Sequence, residues 1–376
     1  MEPFDVTQLL ELAIFGYALG REVKDPRPGE DLRTLVDKAE VALKDHMRAE
    51  RARMGDLVSE QMSFSDWFAV YDALRADAQL SALTLDAFSL DTRGARLSCL
   101  SDDAGNAVLA LGGTGPGEWE DDCTAAYVAD SDQQLAALAW VRREVLPRGY
   151  AHLVACGHSK GGNKAQYLVI RTQGAVERAV SFDGEGFSRQ FLWRYANDIA
   201  AHAGRLASYA LDCDFVNGLL NPIVNPEHRH YLHADHVADS FGGHAPSALF
   251  APRKEGERRL TLAPEVESAG QAGTMATSLT DYLQIRLSHD ELVTFCTVLG
   301  DALRISLSSA LSDEERRAQL AELWKSPDFP FVASTMLDFF RSTGQQVNIG
   351  DVLRIVAPGT APANAVADLT RRLNEK

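Results

Sequence analysis

Apolar residues recur three and four positions apart in VTQLLELAIFGYAL (6–19), LRTLVDKAEVALKDHM (32–47) and FSDWFAVYDALRA (64–76), the spacing of helices with one buried face, so residues 5–90 read as helical. Ser65 and Asp66, just before Trp67, have the short oxygen-bearing side chains that cap a helix start. The period changes in ARLSCLSDDAGNAVLALGGT (95–114), where two short apolar runs flank SDDAGN and predict a hairpin. Elements then alternate: strand 107–112, helix 131–146, strand 151–156, helix 162–172, strand 176–182, helix 188–203, strand 205–211. This order, with short and mostly apolar strands, predicts an α/β fold with a mostly parallel sheet covered by helices on both faces. Residues 251–276 mix charge, Pro and Gly without sustained periodicity and read as a connector. Amphipathic helical patterns resume in 279–307, 312–324 and 332–344, with SDEE (312–315) as a helix-start signal. The expected organisation is an N-terminal helical segment over 1–90, an α/β core over 91–250, the connector, and a C-terminal helical segment over 277–376.

The 376 residues are 45% hydrophobic and 24% charged, enough apolar material for a sizeable core. The 37 Lys+Arg against 53 Asp+Glu give a formal charge of −16, which opposes attraction to nucleic-acid phosphates or anionic lipid surfaces. No apolar run approaches the roughly 18–20 residues of a membrane-spanning helix, and the first residues carry acids where a signal peptide carries bases. Five scattered cysteines without CxxC spacing fit reduced thiols, so the expectation is a cytoplasmic protein without stable membrane insertion.

The candidate chemistry centres on Gly157-His158-Ser159-Lys160-Gly161, a G-x-S-x-G between a predicted strand and a predicted helix. In that context the serine sits on a strained turn that exposes its hydroxyl, and the free amides at the helix start face any developing oxyanion. A serine nucleophile needs a base and an orienting acid, which in α/β-hydrolases follow in the order Ser, Asp/Glu, His. RLASYALDCDFVNGLLNP (205–222) offers Asp212 and Asp214 after a strand, and Asp183 ends the strand before it. Seven histidines lie downstream, at 202, 228, 230, 233, 236, 244 and 289. His244, in the glycine-flanked FGGHAPSAL, is the candidate base because a loop lets the imidazole reach a strand-end serine. Thr114, after the strand ending near Gly112, and Lys160, after the serine, are placed to supply the two oxyanion amides. Such chemistry uses no cofactor.

Two other readings compete. HRHYLHADH (228–236) gathers four histidines near Asp235 and Asp239, a donor set for zinc in a metal-dependent hydrolase, although Tyr231 stands where the H-x-H-x-D-H pattern has its first histidine. Alternatively, the fold serves as a non-catalytic scaffold whose terminal helices dock a partner.

GGTGPGEWEDD (112–122), GHSKGGNKAQY (157–167) and FDGEGFS (182–188) together resemble the Mbeg1-like family of bacterial proteins, itself similar to the class 3 lipases of the α/β-hydrolase superfamily. The resemblance extends to FDVTQLLELAIFGYAL (4–19), DFVNGLL (214–220) and GGHAPSAL (242–249). It implies an α/β-hydrolase fold, Ser159 as nucleophile, His244 as base, and a small ester or lipid-like substrate. The DFV segment favours Asp214 as the acid, with Asp183 and Asp212 as alternatives, and Lys160 is implied to be a family marker outside the triad.

Overall fold

The computed structural model of the chain describes residues 3–344, apart from 116, 236, 238–241, 255 and 307–310. Helices α1 (Val6–Ala18) and α2 (Leu32–Ala49), a hairpin of β1 (Leu57–Ser59) and β2 (Met62–Ser63), and helices α3 (Phe64–Ala76) and α4 (Ala78–Ser81) precede the main sheet. The sheet strands are β3 (Thr84–Leu90), β4 (Arg96–Ser101), β5 (Asn106–Leu111), β6 (His152–His158), β7 (Arg178–Phe182), β8 (Leu206–Leu211), β9 (Arg229–Leu232) and β10 (Glu265–Val266). Between them run α5 (Trp119–Thr124), α6 (Asp132–Trp140), α7 (Lys160–Arg171), α8 (Arg189–Arg194) and α9 (Ala196–His202). Helices α10 (Gln271–Arg286), α11 (His289–Ser306), α12 (Asp313–Lys325) and α13 (Phe329–Ser342) follow.

The eight strands lie in the order β10-β9-β8-β7-β6-β5-β4-β3, parallel from β5 to β9 and antiparallel at both edges. Each strand from β5 to β7 is buried over nearly its whole length, as a parallel strand covered on both faces must be. One face, with Val108, Ala110, Val154, Cys156 and Val180, packs under α1, α2 and α3. The other, with Leu109, Leu111, Leu153, Ala155 and Ala179, packs under α6, α7 and α8. The C-terminal helices build a third core around Phe295, Ala302, Trp324, Val332 and Phe339, into which Cys123 of α5 reaches. The pairings Leu111↔Gly157, His158↔Phe182, Phe182↔Tyr209 and Leu211↔Leu232 align the carboxyl ends of five strands. Residues 112–114, 159, 183 and 212–214 therefore leave the sheet along one edge, the place where open parallel sheets hold ligands.

The alternation of strands and helices from 107 to 211 follows the sequence reading, with α5 added and two of the predicted helices changed. The helical reading of 5–90 overlooked β3, whose burial alternates along TLDAFSL as in a half-covered edge strand. The cap of α3 is Ser63, which accepts from the Asp66 amide while Asp66 returns the bond to the Ser63 amide. The predicted helix 131–146 is α-helical only to Trp140 and widens into a π-turn over Val141–Val145. The predicted helix 188–203 breaks at Tyr195 into α8 and α9. β9 lies inside the His-rich run, and β10 inside the connector. SDEE starts α12 through a capping box between Ser312 and Glu315. Among the described residues no helix is long and apolar enough to cross a membrane.

α1 buries every residue from Leu9 to Ala18, which includes Glu11 at 5% exposure. Burial, followed by the nearby Asp77 and Asp5 carboxylates, pushes the Glu11 carboxyl up to about 8. A folded-state value above the unfolded 4.5 means that this group's stabilisation is complete below about 4.5 and is lost as pH rises through about 8. Denaturant melts should show wild-type stability falling by about 1.4 kcal/mol per pH unit between pH 5 and 8 relative to Glu11→Gln. Parallel curves for the two proteins contradict this.

Candidate active site

β6 ends at His158 and α7 begins at Lys160, leaving Ser159 alone at the junction with φ 57° and ψ −131°. A residue with a Cβ enters this region only when its surroundings force it. A Cβ on Gly161 would stand 2.0 Å from the Leu111 carbonyl oxygen, and one on Gly157 would stand 2.3 Å from the Gly161 carbonyl carbon. The first turn of α7 is thus pressed against the ends of β5 and β6. The Ser159 amide donates to the Phe182 carbonyl at 2.8 Å, and its own carbonyl accepts from Gly162 at 2.8 Å. With its backbone held on both sides, the side chain is left partly exposed at the carboxyl edge.

Ser159 Oγ lies 3.0 Å from His244 Nε2, and His244 Nδ1 lies 3.0 Å from Asp214 Oδ1. His244 ends a short 3-10 turn, Gly242–His244, whose Gly243 lies against Cys213. Asp214 is fully buried, and its second oxygen accepts from the Asn217 amide at 2.9 Å and from Asn217 Nδ2 at 3.1 Å. In the tautomer that carries its proton on Nδ1, His244 donates to Asp214 and turns the Nε2 lone pair toward the serine hydroxyl. The ring of His158 lies 4.7 Å from that of His244 at 38°. Burial, and then the charge His244 would carry, hold His158 well below the usual imidazole range, so it stays neutral beside His244. Its Nδ1 bonds the Tyr17 hydroxyl at 2.9 Å.

The other two acids point elsewhere. Asp183, at φ 47°, accepts from the Leu211 amide at 2.8 Å, and burial together with the neighbouring Asp214 raises its carboxyl well above the ordinary range. Asp212 pairs with His233 at 2.7 Å on the surface. Thr114 and Lys160 each lie three residues beyond the paired Leu111 and Gly157, so both leave the same sheet edge from adjacent strands. The Thr114 hydroxyl donates to Asp122 at 2.7 Å.

The His-rich run is divided among separate contacts. His230 stacks on Tyr209 at 4.4 Å and pairs with Glu265, and both nitrogens of His233 face carboxylates, Asp212 and Asp235. His236 and Asp239 lie outside the described residues. Among the described residues no group of three His, Cys, Asp or Glu is arranged to hold a metal ion. His202 is on α9, and His289 starts α11 with its ring 6.2 Å from Tyr127.

Sequence reasoning missed Tyr17, and also the buried polar face of α7 formed by Lys160, Asn163 and Lys164. The signal for that face was present, since these positions share one side of a helix and Glu118, Asp121 and Asp122 repeat the same spacing upstream. Tyr17→Phe should leave the buried Nδ1 of His158 without its partner, costing about 1–3 kcal/mol in a denaturant melt. No change in the midpoint contradicts that role.

No curated protein and no solved structure matches the chain. A family match covers the turn before β5 through α9, a span that holds Thr114, Ser159, Lys160 and Asp183 and ends before Asp214 and His244. Residues 104–202, the stretch that presents Ser159, match the Mbeg1-like family.

Proposed function

We propose that the protein is a serine hydrolase of the lipase/esterase type, built on an α/β-hydrolase fold and acting on small or lipid-like carboxylic esters. The observation that carries this reading is the hydrogen-bonded chain from Ser159 Oγ through His244 to Asp214, with 3.0 Å at each contact and the acid fully buried. His244 Nε2 takes the serine proton as Oγ attacks the ester carbonyl, and Asp214 stabilises the imidazolium that forms. The Thr114 and Lys160 amides receive the tetrahedral oxyanion, the latter aided by the positive end of α7. His244 then returns the proton to the leaving alcohol, and water, activated by the same imidazole, releases the acid from the acyl-enzyme. His158, held neutral, adds no charge that would oppose imidazolium formation on its neighbour. Esters are preferred over amides in this reading on the resemblance to class 3 lipases, and no cofactor takes part. The free cysteines Cys99, Cys123, Cys156, Cys213 and Cys296 suit a reducing cytoplasm.

Nitrophenyl esters from acetate to palmitate test the assignment. Ser159→Ala and His244→Ala should each lower kcat by at least about a thousandfold with the fold intact, and Asp214→Asn should cost nearly as much. Asp183→Asn should stay within a few fold of wild type, because its carboxyl makes no bond to the imidazole. A loss below tenfold in the serine or histidine variant contradicts the mechanism, and collapse in Asp183→Asn with an unchanged Asp214→Asn moves the acid to Asp183.

A further inference from the structure

Lysines normally occupy the surface, yet Lys160 is 1% exposed and Lys164 fully buried. Lys160 Nζ lies 3.5 Å from Asp121, 3.3 Å from Asp122 and 3.5 Å from Glu185. Burial alone would drive its proton off, but Asp122, Glu185 and Asp121 more than offset this and raise it above the ordinary lysine range. One turn further along α7, Lys164 Nζ donates to Glu118 Oε1 at 2.9 Å. Asp121 is also held by the Ser131 hydroxyl at 2.7 Å and the Gln133 amide at 3.1 Å.

Two arms of this network end on the segment after β5. Asp122 accepts from the Thr114 hydroxyl at 2.7 Å, and Glu118 Oε2 accepts from the Gly115 amide at 2.6 Å. The side chain of Thr114 and the amide that follows it are both committed, and among the described residues the Thr114 amide itself has no protein acceptor. Glu185, in the segment after β7, joins the same cluster. An apolar interface of the same shape would hold α5 on α7 without the cost of burying these charges. Ion pairs and directed hydrogen bonds instead specify one relative position.

We propose that Lys160 and Lys164 are positioning residues that, through Asp122 and Glu118, lock Thr114 and Gly115 onto the helix presenting Ser159 and so fix the spacing of the two oxyanion amides. The inference rests on the serine-hydrolase reading above and assigns a purpose to side chains that reading leaves unused. The Lys160 amide faces the oxyanion, while its ammonium points back into the ionic cluster. One residue thereby ties the amide of α7 to the segment carrying the other amide. A displacement of about 1 Å at such a site costs on the order of a hundredfold in rate, so a loosened segment reads out in turnover before it reads out in folding.

The test compares wild type with Thr114→Val, Asp122→Asn and the charge-neutral pair Glu118→Gln/Lys164→Met. The readouts are kcat and KM on a nitrophenyl ester, affinity for a trifluoromethyl ketone that forms a tetrahedral oxyanion adduct, and the thermal midpoint. Thr114→Val keeps the backbone amide and the side-chain volume, so it provides a folded variant whatever the others do. The expected result is a kcat lowered about tenfold to a hundredfold with KM within threefold, and ketone affinity lowered by the same factor as kcat/KM. Folded variants whose kcat and ketone affinity stay within twofold of wild type overturn the positioning role, as does a loss confined to thermal stability. If wild-type hydrolysis is not abolished by Ser159→Ala, the parent reading fails and the inference with it. Intact wild-type hydrolysis with unaffected Thr114→Val defeats the inference alone.

Discussion

The structure depends on a steric constraint about 2 Å wide. The first turn of α7 lies so close to the end of β5 that a Cβ at Gly161 would stand 2.0 Å from the Leu111 oxygen. That closeness requires glycine at 157 and 161 and drives Ser159 into a left-handed φ of 57°. It also sets the starting point of α7 and brings the Lys160 amide to the edge from which Thr114 emerges. The strain is held by the sheet: the Ser159 amide is tied to the Phe182 carbonyl of the next strand, and strands β5 to β7 are buried on both faces. A rigid, doubly covered sheet is the element that can keep an unfavourable backbone in place.

The terminal helices bear on the edge as much as the sheet does. α1 lies across the sheet and sends the Tyr17 hydroxyl to His158, whose ring lies tilted beside that of His244. On the far side, the C-terminal helices take Cys123 of α5 into their own core, directly after the acids that meet Lys160 and Lys164. The segment after β5 is therefore braced from α7 by charge and from α11 by apolar packing. On this account the helices before and after the sheet support the geometry of the edge and are not separable additions.

Sequence made legible what is local or periodic. The elbow could be read because its steric demands fall on five consecutive residues, and the strand–helix alternation because burial on both faces leaves unbroken apolar runs. His244 stood out among seven downstream histidines because glycines and chain order gave it a reach the others lack. Asp214 was favoured over Asp212 only by the resemblance of DFV, since two positions apart they differ only in the turn after Leu211, which sends one to His233 and the other to His244. β3 was lost in a helical stretch because an edge strand of seven residues alternates too briefly to stand out from helical spacing. Tyr17 was invisible, since 141 residues separate it from His158 and nothing local marks a tyrosine whose hydroxyl will be buried. The buried face of α7 was overlooked because lysine is expected outside, although the spacing of Lys160, Asn163 and Lys164 recurs at Glu118, Asp121 and Asp122.

We assign the activation of the Ser159 hydroxyl to His244, within this braced edge. Identification by peptide mass spectrometry of the residue modified by a fluorophosphonate tests it most directly. The expected result is one adduct per chain, on the peptide containing Ser159, formed at a rate that falls sharply in His244→Ala. An unmodified Ser159 in folded protein, or modification at the same rate without the imidazole, would contradict it.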